Sequence, residues 1–322
     1  VKEKILSLPS PLGDPLELYK FSFAPARYDD TLSLVTGLHG DELNGIYLAG
    51  RLIQFLKTAT AARSNSPYQL NQRVQIFPAV QLNALQAGTR IWPQDGLDMD
   101  LSFPGSDEGD LTEQLARAIY RHTFESTWGL ILASAPEHFE DAPHAVCLNR
   151  GRNEKKLAAG LGLEIARVRE TSPLRRVQLL HQWMEHEIPS LTLCAGRAGQ
   201  LDQALCDSLF RGLLNLLLVT GILSHPEQKG KKGEVNFFNS RQEVPVKVQN
   251  GGLFLPAVTA GTRMKPGQKL GELRTIYEGD LVEVPEAPEE GILVSIRAAP
   301  VVYPSEPVAI LLVEHKRRFW FF

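Results

Sequence analysis

Apolar and polar positions follow two different rhythms along the chain, and the rhythm changes once. From about residue 30 to about residue 225, short apolar runs alternate with stretches whose apolar residues recur three and four apart. TLSLVTG predicts a strand, and ELNGIYLAGRLIQFLK after it predicts a helix with one apolar face. ARSNSPYQLNQ reads as a polar loop, and RVQIFPAV as a second strand. In DLTEQLARAIYRHTF, Asp110 stands where a helix cap belongs and Glu113 follows three residues on, the form of a capping box. WGLILAS predicts a strand, SPLRRVQLLHQWMEHE a helix, PSLTLCAG a strand and LDQALCDSLFRGLLNLLLVTGIL a long buried helix. Strands alternating with helices imply an α/β domain with a mostly parallel sheet covered on both faces.

The rhythm changes at HPEQKGKKGE, a polar linker rich in lysine and glycine. Beyond it VPVKVQN, GLFLPAV, QKLGELRTIY, DLVEVP, GILVSIRA and EPVAILLVE are short β-type segments separated by glycine and proline turns. The expected organisation is an α/β domain over 1–228 and a small all-β barrel or sandwich over 229–322. The tail HKRRFWFF is expected to fold back on the second domain.

Composition narrows the class. A net charge of −3 gives no basic surplus for nucleic acid or an anionic membrane. No window reaches the 18 or so apolar residues of a spanning helix, and the N-terminus has no apolar leader core. Three cysteines, Cys147, Cys194 and Cys206, form no CxxC pair and suit a reducing cytosol. The expected partners are a small-molecule ligand or another protein, with an oligomer left open.

The chemistry sits first in GLHGDELNG. His39 and Glu42 follow a strand and enter a helix, so both side chains can aim at one point. Zinc sites of the His2Glu kind need such a pair and a second imidazole from elsewhere. On its own, HxxE also reads as a capping carboxylate beside a turn histidine.

GLHGDELNG, together with the later NALQAGTRIWPQDGLDMDLSFPG, resembles the succinylglutamate desuccinylase/aspartoacylase family of the zinc carboxypeptidase clan. The resemblance extends to GGLFLPAVTAGTRMKPGQKLGEL, which is similar to the β domain that family appends. It implies a zinc-dependent hydrolase that cleaves an amide in N-acyl amino acids or related small molecules. It also implies that His39 and Glu42 are metal ligands. Asn83 and Arg90 match positions the family tends to keep, and Asp98, Phe103, Pro104 and Gly105 match the frame of its D-L-N-R-x-F-P-G motif.

Inside that frame the chain departs. Asp100 stands at the Asn position and Leu101 at the Arg position, and leucine cannot form the bidentate fork that grips a carboxylate. The third ligand position falls on Ala133, or on Ser134 with one gap, and the aspartate before it on Ile131; Asp141 and Pro143 fit the Glu-x-Pro segment that follows. Cys194 occupies the position of the catalytic glutamate. The third metal ligand is therefore open between Cys194, His144 and His138, and zinc could be bound, sparsely bound or absent. Two readings follow. One is a degenerate member with weak or no hydrolase activity, acting as a binding or partner subunit, and the joint loss of ligand and base favours it. The other is an active metal-dependent deacylase or carboxypeptidase-like enzyme with a rearranged metal site.

Overall fold

A computed structural model describes residues 1–9, 13–61, 65–148, 151–172 and 175–314. The aromatic tail lies outside the described residues. The chain opens with a hairpin, β1 (Lys2–Leu8) and β2 (Leu16–Phe23). Next come β3 (Thr31–Thr36), α1 (Leu43–Ala59), β4 (Gln69–Leu70), β5 (Arg73–Phe77) and α2 (Leu82–Ala87). A 3-10 turn over Met99–Leu101 precedes α3 (Leu111–Thr123), β6 (Trp128–Ala133), β7 (Phe139–Cys147), α4 (Arg152–Gly160) and β8 (Ile165–Val168). α5 (Leu179–Glu185), β9 (Ser190–Arg197), α6 (Gln203–Thr220) and β10 (Leu223–Ser224) complete the α/β part. The C-terminal β region holds β11 (Asn236–Asn239), β12 (Glu243–Lys247), β13 (Gly252–Pro256), β14 (Arg263–Met264), β15 (Gly271–Arg274), β16 (Leu281–Glu283), β17 (Gly291–Arg297), β18 (Val301–Val302) and β19 (Pro307–Val313).

One mixed sheet runs through the molecule in the order β1-β2-β5-β3-β6-β9-β7-β17-β19-β12. Its centre, β5-β3-β6-β9, is parallel, as the alternation predicts. Strands on both sides of that centre are antiparallel, and β17 pairs with β7, so the C-terminal β region continues the central sheet. A separate four-stranded sheet, β16-β15-β13-β18, closes the C-terminal region over its own core of Phe254, Leu273, Leu293 and Leu311.

The central strands are buried on both faces, and their side chains alternate between two cores. Leu32 and Leu34 of β3 and Leu130 and Leu132 of β6 face α1, α4 and α6. Val35 and Ile131 face the opposite side, with Leu115 and Ile119 of α3 and Trp183 of α5. α3 starts at Asp110, whose N–H donates to Glu113 Oε2 at 2.9 Å, so the expected capping box is formed. α5 is shorter than the sequence pattern predicts. The carbonyl of Val177 accepts from the N–H of Phe103 at 2.9 Å, which takes it out of any helical ladder.

The turn after β3 is set by close backbone approach. Gly37 has φ +68°, a left-handed conformation that glycine adopts without a steric penalty. At Gly40 a Cβ would lie 2.1 Å from the carbonyl carbon of Ala84 on α2. The Gly40 N–H donates to Arg90 O at 3.0 Å, and Gln81 N–H to Gly37 O at 2.8 Å, so both loops lock together. Because the obstacle to a side chain at residue 40 is backbone, Gly40→Ala is expected to destabilise the protein by about 2 kcal/mol or more. Urea denaturation compared with wild type checks this; an unchanged midpoint would contradict the packing described.

Candidate active-site cavity

The chain leaves β3 toward β5 on one side and later returns to β6 and β9 on the other. The carboxyl ends of these strands therefore frame a crevice, the place where open α/β sheets bind ligands. A cavity of about 610 Å³ occupies it. Leu38, His39 and Glu42 line one side; Ala133, Ser134 and Cys194 form its floor; Asp141, His144, Arg167 and Arg169 form the far wall.

Sheet register fixes the floor. Ala133 pairs with Cys194, and Cys194 with His144, so the three stand in one row across β6, β9 and β7. Arg167 and Arg169 come from β8, which runs parallel to β7, and from the residue just after it.

His39 and Glu42 meet. Glu42 is the N-cap residue of α1 but makes no capping hydrogen bond with its side chain. Its carboxylate instead accepts the backbone N–H of His39 at Oε2 (3.2 Å) and lies 3.0 Å from His39 Nδ1 at Oε1. On the other side of the ring, His39 Nε2 is 2.8 Å from Asp98 Oδ1. Burial opposes a charge on this imidazole, but the hydrogen bonds to Asp98 and Glu42 outweigh it and lift the pKa to about 10. Asp98 also suffers burial, yet the bond to His39 and the charges of His39 and Arg90 hold it down at about 2. Arg90 Nη2 donates to Asp98 Oδ2 at 3.2 Å, so this guanidinium braces the histidine's partner. Asp100 is pushed up to about 7, first by burial, and accepts from Gln178 Nε2 at 2.7 Å.

The donor types are those of half a metal site. A carboxylate holds Nε2, as outer carboxylates hold metal-binding histidines, and Nδ1 is hydrogen-bonded to the adjacent Glu42 Oε1. Catalytic zinc sites use three protein donors. Across the cavity, Ala133 offers none. Ser134 offers a neutral hydroxyl. Burial pushes the Cys194 thiol far up, which keeps it protonated and makes it a poor base. His144 Nδ1–H donates to Ala142 O at 2.9 Å, and its Nε2 faces Arg167 Nη1 at 3.5 Å. Among the described residues no three His, Cys, Asp or Glu side chains converge on one ion position. The residues present do not fit a resident zinc of the expected kind.

The other candidates are dispersed. Asn83 sits on α2 and His138 in the turn before β7, and neither lines the cavity. The carbonyl of His138 accepts from the N–H groups of Ala298 and Ala299, which ties that turn to the C-terminal β region. Leu101 is half-exposed and lines the cavity. Sequence reasoning missed Arg167, Arg169 and Gln178. A signal was there: arginines two apart in IARVRE lie on one face of a strand.

His144 is buried, and burial together with Arg167 drives its pKa down to about 3. Its folded value lies below the unfolded one, so the stability tied to its neutral form is present above pH 6.5 and is lost as pH falls toward 3. Each pH unit below 6.5 removes about 1.4 kcal/mol. His144→Leu lacks this acid penalty. Its deficit relative to wild type is expected to shrink by about 2 kcal/mol between pH 7 and pH 5, measured by chemical denaturation at both values. A pH-independent deficit would count against the buried neutral ring.

Comparison with known proteins agrees with the fold and motif. Over 86 residues (27% of this chain) it is 35% identical to the N-alpha-acetyl-L-2,4-diaminobutyric acid deacetylase of Halomonas elongata, a stretch that spans only 22% of that relative. An aspartoacylase family protein from Mesorhizobium loti superposes with a TM-score of 0.76 at 22% identity, covering 98% of this chain and 95% of the other. A succinylglutamate desuccinylase/aspartoacylase from Rhodobacter sphaeroides gives 0.78 at 19%, covering 99% and 96%. The product-bound ectoine utilization protein EutE (DoeB) from Ruegeria pomeroyi gives 0.77 at 19%, covering 98% and 95%. These structural likenesses establish the fold alone. Residues 28–219 match the Succinylglutamate desuccinylase/Aspartoacylase catalytic domain, more than half of the chain, and the protein belongs to that family.

Proposed function

We propose that this family member binds a small ligand in the cavity without hydrolysing it, as a binding or partner subunit. The observation that carries the reading is the row Ala133–Cys194–His144. Two of the positions that would complete a metal-activated hydrolase are an alanine (with a serine beside it) and a protonated thiol. His144 is already committed to Ala142 and Arg167. A general base must accept a proton within hydrogen-bond reach, and neither the cavity's alanine nor its thiol can do so near neutral pH.

A second reading is favoured by one feature. His39, Glu42 and Asp98 keep the arrangement of a metal half-site, and a relative similar over a short stretch is a deacetylase. Under that reading the chain is a metal-dependent deacylase with a donor set of its own.

Metal content and turnover separate the two. The wild type, incubated with zinc and then dialysed, is expected to retain no stoichiometric metal and to release no product from N-acetyl and N-succinyl amino acids. The variant Ala133→His with Cys194→Glu and Leu101→Arg is expected to gain zinc affinity. Stoichiometric zinc in the wild type, lost in His39→Ala and accompanied by turnover, would overturn the binding reading in favour of the deacylase.

A further inference from the structure

The cavity changes character along β9. On one face of this strand Leu191, Leu193 and Ala195 are buried in the core beneath α1, α4 and α6. On the other face Thr192 is only half-buried, although β9 is a central strand. Val146, which pairs with Thr192, is half-buried between the fully buried Ala145 and Cys147. Central strands of a covered sheet bury both faces, so an open strip here is a departure. α5 lies beside the strip. Its Trp183 packs so closely on Gly129 that a Cβ there would collide with the ring, and Gly129 pairs with Ser190. The helix starts only at Leu179 and leaves the Thr192 row open to the cavity.

Sheet register arranges the strip in rows. Next to the row Ala133–Cys194–His144 comes Ile131–Thr192–Val146, and all three residues of this second row line the cavity. Leu148, two residues beyond Val146, continues the line, and it faces the cavity together with Leu180 of α5. The same two leucines also line a second cavity of about 340 Å³, whose other walls include Met184, Ile188 and Ser190. From Cys194 to Ser190 the strand covers about 13 Å, and its neighbours stand about 4.8 Å to either side. The path is therefore long and narrow, and its walls are hydrocarbon apart from the Thr192 hydroxyl. Charged groups gather at the other end of the cavity, with His39, Glu42, Arg167 and Arg169.

A peptide-like arm on this path would leave its amide groups unpaired against the leucine, isoleucine and valine walls, which is costly. A hydrocarbon arm has no such groups and gains by leaving water. We propose that the cavity takes a linear amphiphile, with a small polar head at the His39 end and an unbranched alkyl or acyl arm along β9 over Thr192. Leu148 and Leu180 clasp the arm, and the second cavity receives the end of a longer one. The inference rests on the binding reading of the same cavity and gives its ligand a shape and a chemical class.

Isothermal titration of the purified full chain tests it, with the neutral amides butanamide and octanamide as probes and 2-propylpentanamide, the branched isomer of octanamide, as comparator. Octanamide is expected to bind about tenfold or more tighter than butanamide, because four further methylenes leave water. The branched isomer is expected to lose most of that gain. Thr192→Phe fills the path without touching His39 or Glu42, and is expected to abolish the preference for octanamide while butanamide binds as before. Val146→Phe blocks the same row from β7 and serves if Thr192→Phe does not fold. Failure of every amide to bind, equal affinity for the short and long amides, or a chain-length preference that survives the blocking variant would each overturn the arm. Turnover in the zinc assay would overturn the binding reading and leave a Thr192-dependent preference for the longer arm standing, so the two fail separately.

Discussion

The lateral register of β6, β9 and β7 is the constraint on which the cavity depends. β6 and β9 run parallel and end together at their carboxyl edges, antiparallel β7 passes beside them, and hydrogen bonding between neighbours leaves no freedom to slide one against another without turning a buried face outward. Ala133, Cys194 and His144 are therefore held in a row opposite the turn that presents His39 and Glu42. A changed side chain in that row cannot be compensated by moving its backbone. Chemistry that this row does not supply has to come from another strand, and β8 brings an arginine pair to the cavity wall.

The His39–Glu42 pair is held with comparable rigidity. His39 is hydrogen-bonded on both ring nitrogens, and Asp98 is bonded in turn to Arg90 and to the N–H of Asp100. Each carboxylate in the network has a protein donor. The positive imidazolium balances one negative charge and Arg90 another. Breaking one member of a buried charged network strands its partners, which destabilises far more than the net worth of any single pair. His39, Glu42 and Asp98 thus have a structural reason to remain together, independent of what the cavity binds.

Local features were legible from the sequence and long-range ones were not. The strand–turn–helix around His39 could be read because its glycines, ligand pair and helical spacing lie within a short stretch. The capping box of α3 was legible for the same reason. α5 came out shorter because Val177 gives its carbonyl to Phe103, 74 positions away by residue number, and no local pattern reports that. Glu243 stands just before VPVKVQN with no local pattern to mark it, yet its carboxylate accepts from Arg167 Nε at 2.9 Å and from Arg169 Nη1 at 3.0 Å. Its meeting with Arg167 and Arg169 depends on β11 docking in register beside β8. Of the cavity's two walls, the one built from contiguous motif residues was visible and the one assembled by strand pairing was hidden.

Electrostatics tie the two walls together. A metal-dependent hydrolase concentrates positive charge at its bound ion. Here the half-site is compensated by its own imidazolium and by Arg90, and the cavity's remaining positive groups include the guanidiniums on the far side. Arg167 lies within electrostatic reach of Asp141 and beside the protonated Cys194, so positive charge already stands next to the cavity floor. A dication placed there would meet that guanidinium in a low-dielectric space, where like charges repel most strongly. An anionic group approaching Arg169 meets the opposite field. The arginine pair and a floor without a third donor thus act in the same direction, against a dication and not against an anion.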